Sequence, residues 1–113
     1  MTIDFHAEVD KRKEALMEDL FGLLRINSER DDSKADEKHP FGPGPVKALE
    51  HFLALAERDG YKTRNIDNYA GDFEFGQGDE VLGIFAHLDV VPAGSGWDTD
   101  CLLYTSDAAE RSY

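Results

Sequence analysis

The 113 residues are enough for one small domain, and 12 basic residues against 24 acidic ones leave a net charge of −12. That balance excludes a nucleic-acid surface or an anionic-membrane surface, both of which need concentrated Lys and Arg. The single cysteine, Cys101, excludes an internal disulfide and a cysteine-rich zinc site, so any metal would need His and carboxylate ligands. No apolar run reaches the length of a membrane span, and the opening Met1-Thr-Ile-Asp-Phe-His6 lacks the basic and apolar regions of a secretory signal. A cytoplasmic protein is therefore expected.

The first segment is expected to be one long amphipathic helix. Phe5, Val9, Leu16, Leu20, Leu23 and Leu24 recur near helical spacing, and Asp4 is placed to cap it. Residues 27–45 are polar and then rich in Pro and Gly, as in a solvated loop. The acidic residues there lack the spacing and the glycine of a calcium loop. Phe41-Gly-Pro-Gly-Pro45 lacks the Lys-Ser/Thr ending of a phosphate loop, and its prolines remove backbone donors, so it is read as the start of a helix. That second helix is expected from about Pro45 to Asp59, with Val46, Leu49, Phe52, Leu53 and Ala56 on its apolar face and Gly60 as its stop.

The period then changes. Tyr61–Ile66 reads as a strand, Asn68–Gly71 as a turn, and Asp72–Phe75 as a half-buried strand. Val81–Ala86 is a near-continuous apolar run, the pattern of a strand covered on both faces. This order predicts an α/β fold with two N-terminal helices packed on a mixed sheet.

The apolar run ends in His87-Leu88-Asp89. Residues two apart in extended backbone project to the same side. A neutral imidazole is a good zinc ligand, and a neighbouring carboxylate can accept its other N–H and fix the tautomer. The tripeptide alone also fits a hydrogen-bonded structural pair, because a metal site needs three or more protein ligands. His6, His39 and His51 have no ligand spacing to His87 and read as surface residues.

Gly83-Ile-Phe-Ala-His87-Leu-Asp89-Val-Val-Pro92-Ala-Gly94, followed by Gly96-Trp97-Asp98-Thr-Asp100, resembles the first metal motif of bacterial di-zinc dipeptidases of the PepV type. These enzymes form part of a clan of co-catalytic zinc peptidases and deacylases. Met17–Phe21, Leu24–Ile26, Pro40–Pro45 and Asn68–Gly71 also look like that family's opening region, so the resemblance covers about residues 3–100. The Phe-Gly-Pro-Gly-Pro run favours the dipeptidase branch. The resemblance implies a partial zinc-aminopeptidase-like catalytic domain over residues 1–100. It implies His87 as a ligand to one of two zinc ions, Asp89 as an active-site residue that orients His87, and a dipeptide substrate. The family's bridging Asp, Glu-Glu pair, further acidic ligand and distal His come later in sequence and have no match here. The 113-residue chain is accordingly expected to bind zinc weakly and to lack peptidase activity.

After Asp100 the character changes. Residues 101–109 can be encoded by TGT CTC TTA TAC ACA TCT GAC GCT GCC, which resembles the constant end of a transposase-based sequencing adapter and departs from it at Glu110. Residues 101–113 are therefore expected to be non-native. Two other readings stay open: an N-acyl amino acid deacylase of the same clan, and a non-catalytic α/β remnant.

Overall fold

The structure is a computed structural model that describes residues 2–98. In chain order its elements are α1 (Phe5–Asp10), α2 (Lys13–Leu24), a short 3-10 turn (Asp32–Lys34), α3 (Pro43–Arg58), β1 (Thr63–Ile66) and β2 (Ala70–Phe73). They fall into two compact units, one holding residues 2–25 and the other Ile26–Gly96. The tail assigned to residues 101–113 lies outside the described residues.

In the first unit Asp4 caps α1 as expected, its carboxylate accepting the Ala7 N–H at 3.1 Å. The single long helix is corrected to two. Arg12 folds back on α1, donating through Nη1 to the Glu8 carbonyl and to Glu8 Oε2, both at 2.7 Å. Its own N–H bonds to the Val9 carbonyl at 2.9 Å, a tightened final turn that ends the helix. Neither α1 nor α2 has a buried residue, and Leu16 and Leu20 remain well exposed.

The second unit is built on α3. The helix starts two residues earlier than expected. Gly42 takes the N-cap position at φ 93°, and Pro43 and Pro45 fall in the first turn, where missing N–H groups cost nothing. Its end follows the sequence signal. Gly60 adopts φ 90°, Tyr61 N–H bonds to the Ala56 carbonyl at 2.9 Å, and Gly60 N–H bonds to the Glu57 carbonyl at 3.0 Å. This is a Schellman stop. Val46, Ala48, Leu49, Leu53 and Ala56 are buried, and they make α3 the source of the core among the described residues.

The strands β1 and β2 pair antiparallel, with Thr63 opposite Phe73 and Ile66 opposite Ala70. Asp67 (φ 49°) and Asn68 (φ 61°) turn the chain in the left-handed region, and Tyr69 N–H closes the turn on the Ile66 carbonyl at 2.9 Å. Two positive φ values at the centre match the twist a tight hairpin needs. Asn65 and Asn68 exchange bonds at 2.8 and 2.9 Å and hold that turn. The hairpin packs on α3. Phe73 lies 6.0 Å from Phe52 and 5.2 Å from Tyr61, centroid to centroid.

Two fold expectations are corrected. Among the described residues the helices and strands make an α/β chain, but the sheet is a two-stranded antiparallel hairpin and not a mixed sheet. Val81–Ala86 is not a strand, and Val81, Ile84 and Phe85 are 91%, 87% and 97% exposed. An all-apolar strand needs a neighbour on each edge and a layer on each face. Among the described residues, the hairpin and α3 supply neither to this segment. Its composition is that of a core strand, and exposed it is an aggregation hazard.

The loop between α2 and α3 is tied down by its own side chains. Asp36 Oδ1 accepts the Lys38 and His39 N–H groups at 2.8 and 2.7 Å and lies 2.8 Å from His39 Nδ1. The His39 side-chain bond, first among several, holds the Asp36 carboxyl below its ordinary value. A carboxyl depressed in the folded state contributes stability above its unfolded pKa and loses it as pH falls through the folded value. The loop should therefore loosen as pH falls into the acid range. An NMR titration should place Asp36 below a peptide aspartate, and Asp36→Asn should remove the acid-range shift of the His39 amide.

Candidate metal motif

His87-Leu88-Asp89 lies in chain with no regular secondary structure, and the His87 side chain is 84% exposed. Its local geometry is nonetheless specific. His87 Nδ1 sits 2.9 Å from the Asp89 backbone carbonyl and 3.4 Å from Asp89 Oδ1. The nearer acceptor is the carbonyl, where the sequence pointed to the carboxylate. A carbonyl can only accept, so Nδ1 carries the proton in this bond. In the neutral ring Nε2 is then the nitrogen with the lone pair.

The motif is also tethered. Val90 N–H bonds to the Ser28 carbonyl at 3.4 Å, and Glu29 and Val90 form a parallel β-bridge. Ser28 is 3% exposed, the one buried polar residue among the described residues. Sequence spacing gives no sign of this contact, because it joins residues some sixty positions apart through backbone atoms.

Among the described residues, no group of three or more His, Cys, Asp or Glu is arranged to hold a metal ion. The fit to zinc therefore rests on one ring: with Nδ1 against the Asp89 carbonyl, His87 has Nε2 as its other nitrogen. His39 is bound to Asp36 in the loop. His51 departs from the surface reading, since it lies half-buried in α3 and its Nε2 has no hydrogen-bond partner among the described residues. No helix among the described residues is long and apolar enough to cross a membrane.

A second cluster links two of the sequence motifs that carried the resemblance. Phe41 and Tyr69 meet edge-to-face at 5.4 Å, and Asn68 Nδ2 donates to the Lys38 carbonyl at 2.7 Å. Arg30 lies over the Phe41 ring at 5.4 Å. These contacts pin the hairpin turn to the loop before α3.

Comparison with known proteins gives the same direction as the motif. The chain is 50% identical over 93 residues, 82% of its length, to a protein named "Putative dipeptidase" in Staphylococcus haemolyticus. The same identity and coverage hold for proteins of that name in Staphylococcus saprophyticus and Staphylococcus aureus USA300. This chain is homologous to the N-terminal part of those proteins. It spans about 20% of the length of the curated relatives it matches. No family model matches it.

Proposed function

We propose that this chain is the N-terminal part of a zinc-dependent dipeptidase whose remaining ligands come from sequence beyond these residues. In the whole protein His87 would bind one of two zinc ions through Nε2. Asp89 would hold the His87 ring through its carbonyl, with its carboxylate alongside. Zinc bound there would polarise the scissile carbonyl and supply a water acidified toward neutrality. The observation that carries this reading is the His87 Nδ1 contact with the Asp89 carbonyl at the end of the apolar run, in a chain homologous to proteins named "Putative dipeptidase". The names of those relatives favour a dipeptide substrate over an N-acyl amino acid. We further propose that residues 101–113 are not part of the native protein. Resequencing across codon 100 tests that directly.

The whole protein, recovered from the source DNA, should copurify with zinc and hydrolyse dipeptides with a free amino end. The 113-residue chain assayed beside it should do neither at a measurable rate. Hydrolysis of N-acyl amino acids with dipeptides untouched would move the assignment to the deacylases. A metal-free, inactive whole protein would leave the non-catalytic reading.

A further inference from the structure

The Phe41-Gly-Pro-Gly-Pro45 run has no role in the chemistry above, yet its glycines are packed against backbone. A Cβ on Gly44 would run into the carbonyl oxygen of Asn27 and would lie 3.3 Å from that of Glu29. A Cβ on Gly42 would come within 2.8 Å of the Asp31 carbonyl oxygen. The start of α3 is thus pressed against residues 27–31, and the nearest atom at each glycine is a backbone carbonyl oxygen. The other side of the same stretch meets the metal motif through the Ser28 carbonyl and the Glu29–Val90 bridge. Asn27 Oδ1 accepts the Glu29 N–H at 3.2 Å and stiffens the segment between these two contacts. Close-packed backbone transmits displacement because it has no void to absorb it.

We propose that Asn27–Glu29 is a strap that sets the position of His87-Leu88-Asp89, and that Gly44 is the positioning residue against which the strap is seated. The path runs from Gly44 to the Asn27 carbonyl, along the strap to Ser28 and Glu29, across to Val90, and back one residue to Asp89, whose carbonyl holds His87. An added methyl at Gly44 must push the strap aside, and the Val90 contact moves with it. The functional meaning of this device rests on His87 being a zinc ligand, but its geometry does not.

The test uses the 113-residue chain labelled at histidine nitrogens and needs no metal. At alkaline pH, where the ring is neutral, the parent should show His87 as the Nδ1–H tautomer and a Val90 amide slower to exchange than that of Val91. Gly44→Ala should lose both signatures while α3 amides stay protected. Gly71→Ala is the packing control, because its Cβ would meet Leu49 and Leu53 at 2.9 to 3.1 Å and not the strap. It should weaken the hairpin and leave both signatures in place. Retention of both in Gly44→Ala, or their equal loss in Gly71→Ala, overturns the proposal. Should Gly44→Ala fail to fold, Val90→Pro removes the Val90 donor and leaves α3 untouched. It should lose the tautomer signature, and a retained signature overturns the strap. Absence of zinc or turnover in the whole protein would defeat the dipeptidase reading and not this one.

Discussion

On the proposed dipeptidase reading, His87→Ala in the whole protein should lower zinc content and lower kcat/KM by more than about 100-fold, the upper end of what loss of an outer partner costs a metal site. The expectation follows from the ring's two nitrogens. Nδ1 is committed to the Asp89 carbonyl at 2.9 Å, which leaves Nε2 as the donor. No other side chain among the described residues forms a metal cluster that could substitute. Asp89→Ala should cost less, about tenfold in metal affinity. That variant keeps the backbone carbonyl, the nearer acceptor, and loses only the carboxylate 3.4 Å away. Metal content by elemental analysis and turnover on a dipeptide are the two readings to take. Turnover unchanged in His87→Ala would sink the ligand assignment. Equal losses in the two variants would show that the carboxylate, not the carbonyl, holds the ring.

Legibility in the sequence followed the range of the forces involved. The Asp4 cap and the Gly60 stop depend on neighbours within a few residues and stand at their expected places, whereas the hairpin turn expected at Asn68–Gly71 falls on Asp67 and Asn68, and the strand expected at Asp72–Phe75 runs Ala70–Phe73. The break at Arg12 is not legible in the sequence, because the apolar spacing runs through it and what marks it are Arg12's bonds to Glu8 and to the Val9 carbonyl. The Val81–Ala86 run was read as a buried strand from its composition. Composition reports what a segment is fit for, whereas pairing requires partners that the described residues do not include. For the candidate motif, the shared side of His87 and Asp89 was legible from the two-residue period. The choice of carbonyl over carboxylate, and the strap at Ser28, were not. Both are set by backbone atoms, which every residue carries alike.

Leu53→Ala should lower the stability of the Ile26–Gly96 unit by roughly 2–5 kcal/mol and move its urea midpoint down. Leu53 is 7% exposed, and both its methyl groups lie against Gly71, where an added Cβ would meet them at 3.0 and 3.1 Å. Truncating a buried leucine costs roughly 2–5 kcal/mol, from lost transfer energy and the cavity left behind. A native domain has only about 5–15 kcal/mol in total, so the loss is a large share of it. The apolar residues buried among those described are Val46, Ala48, Leu49, Leu53 and Ala56, two of them alanines with little area to contribute. Leu49 and Leu53 therefore carry much of the joint between α3 and the hairpin, and no larger core stands behind them to share the loss. Leu20→Ala serves as the contrast, since Leu20 in α2 is 43% exposed and its truncation should stay within about 0.5 kcal/mol. Urea unfolding followed through the aromatic signal of the Tyr61–Phe73–Phe52 group reads the second unit directly. A midpoint for Leu53→Ala that matches the parent would mean that the stability of this unit comes from somewhere other than the α3–hairpin joint.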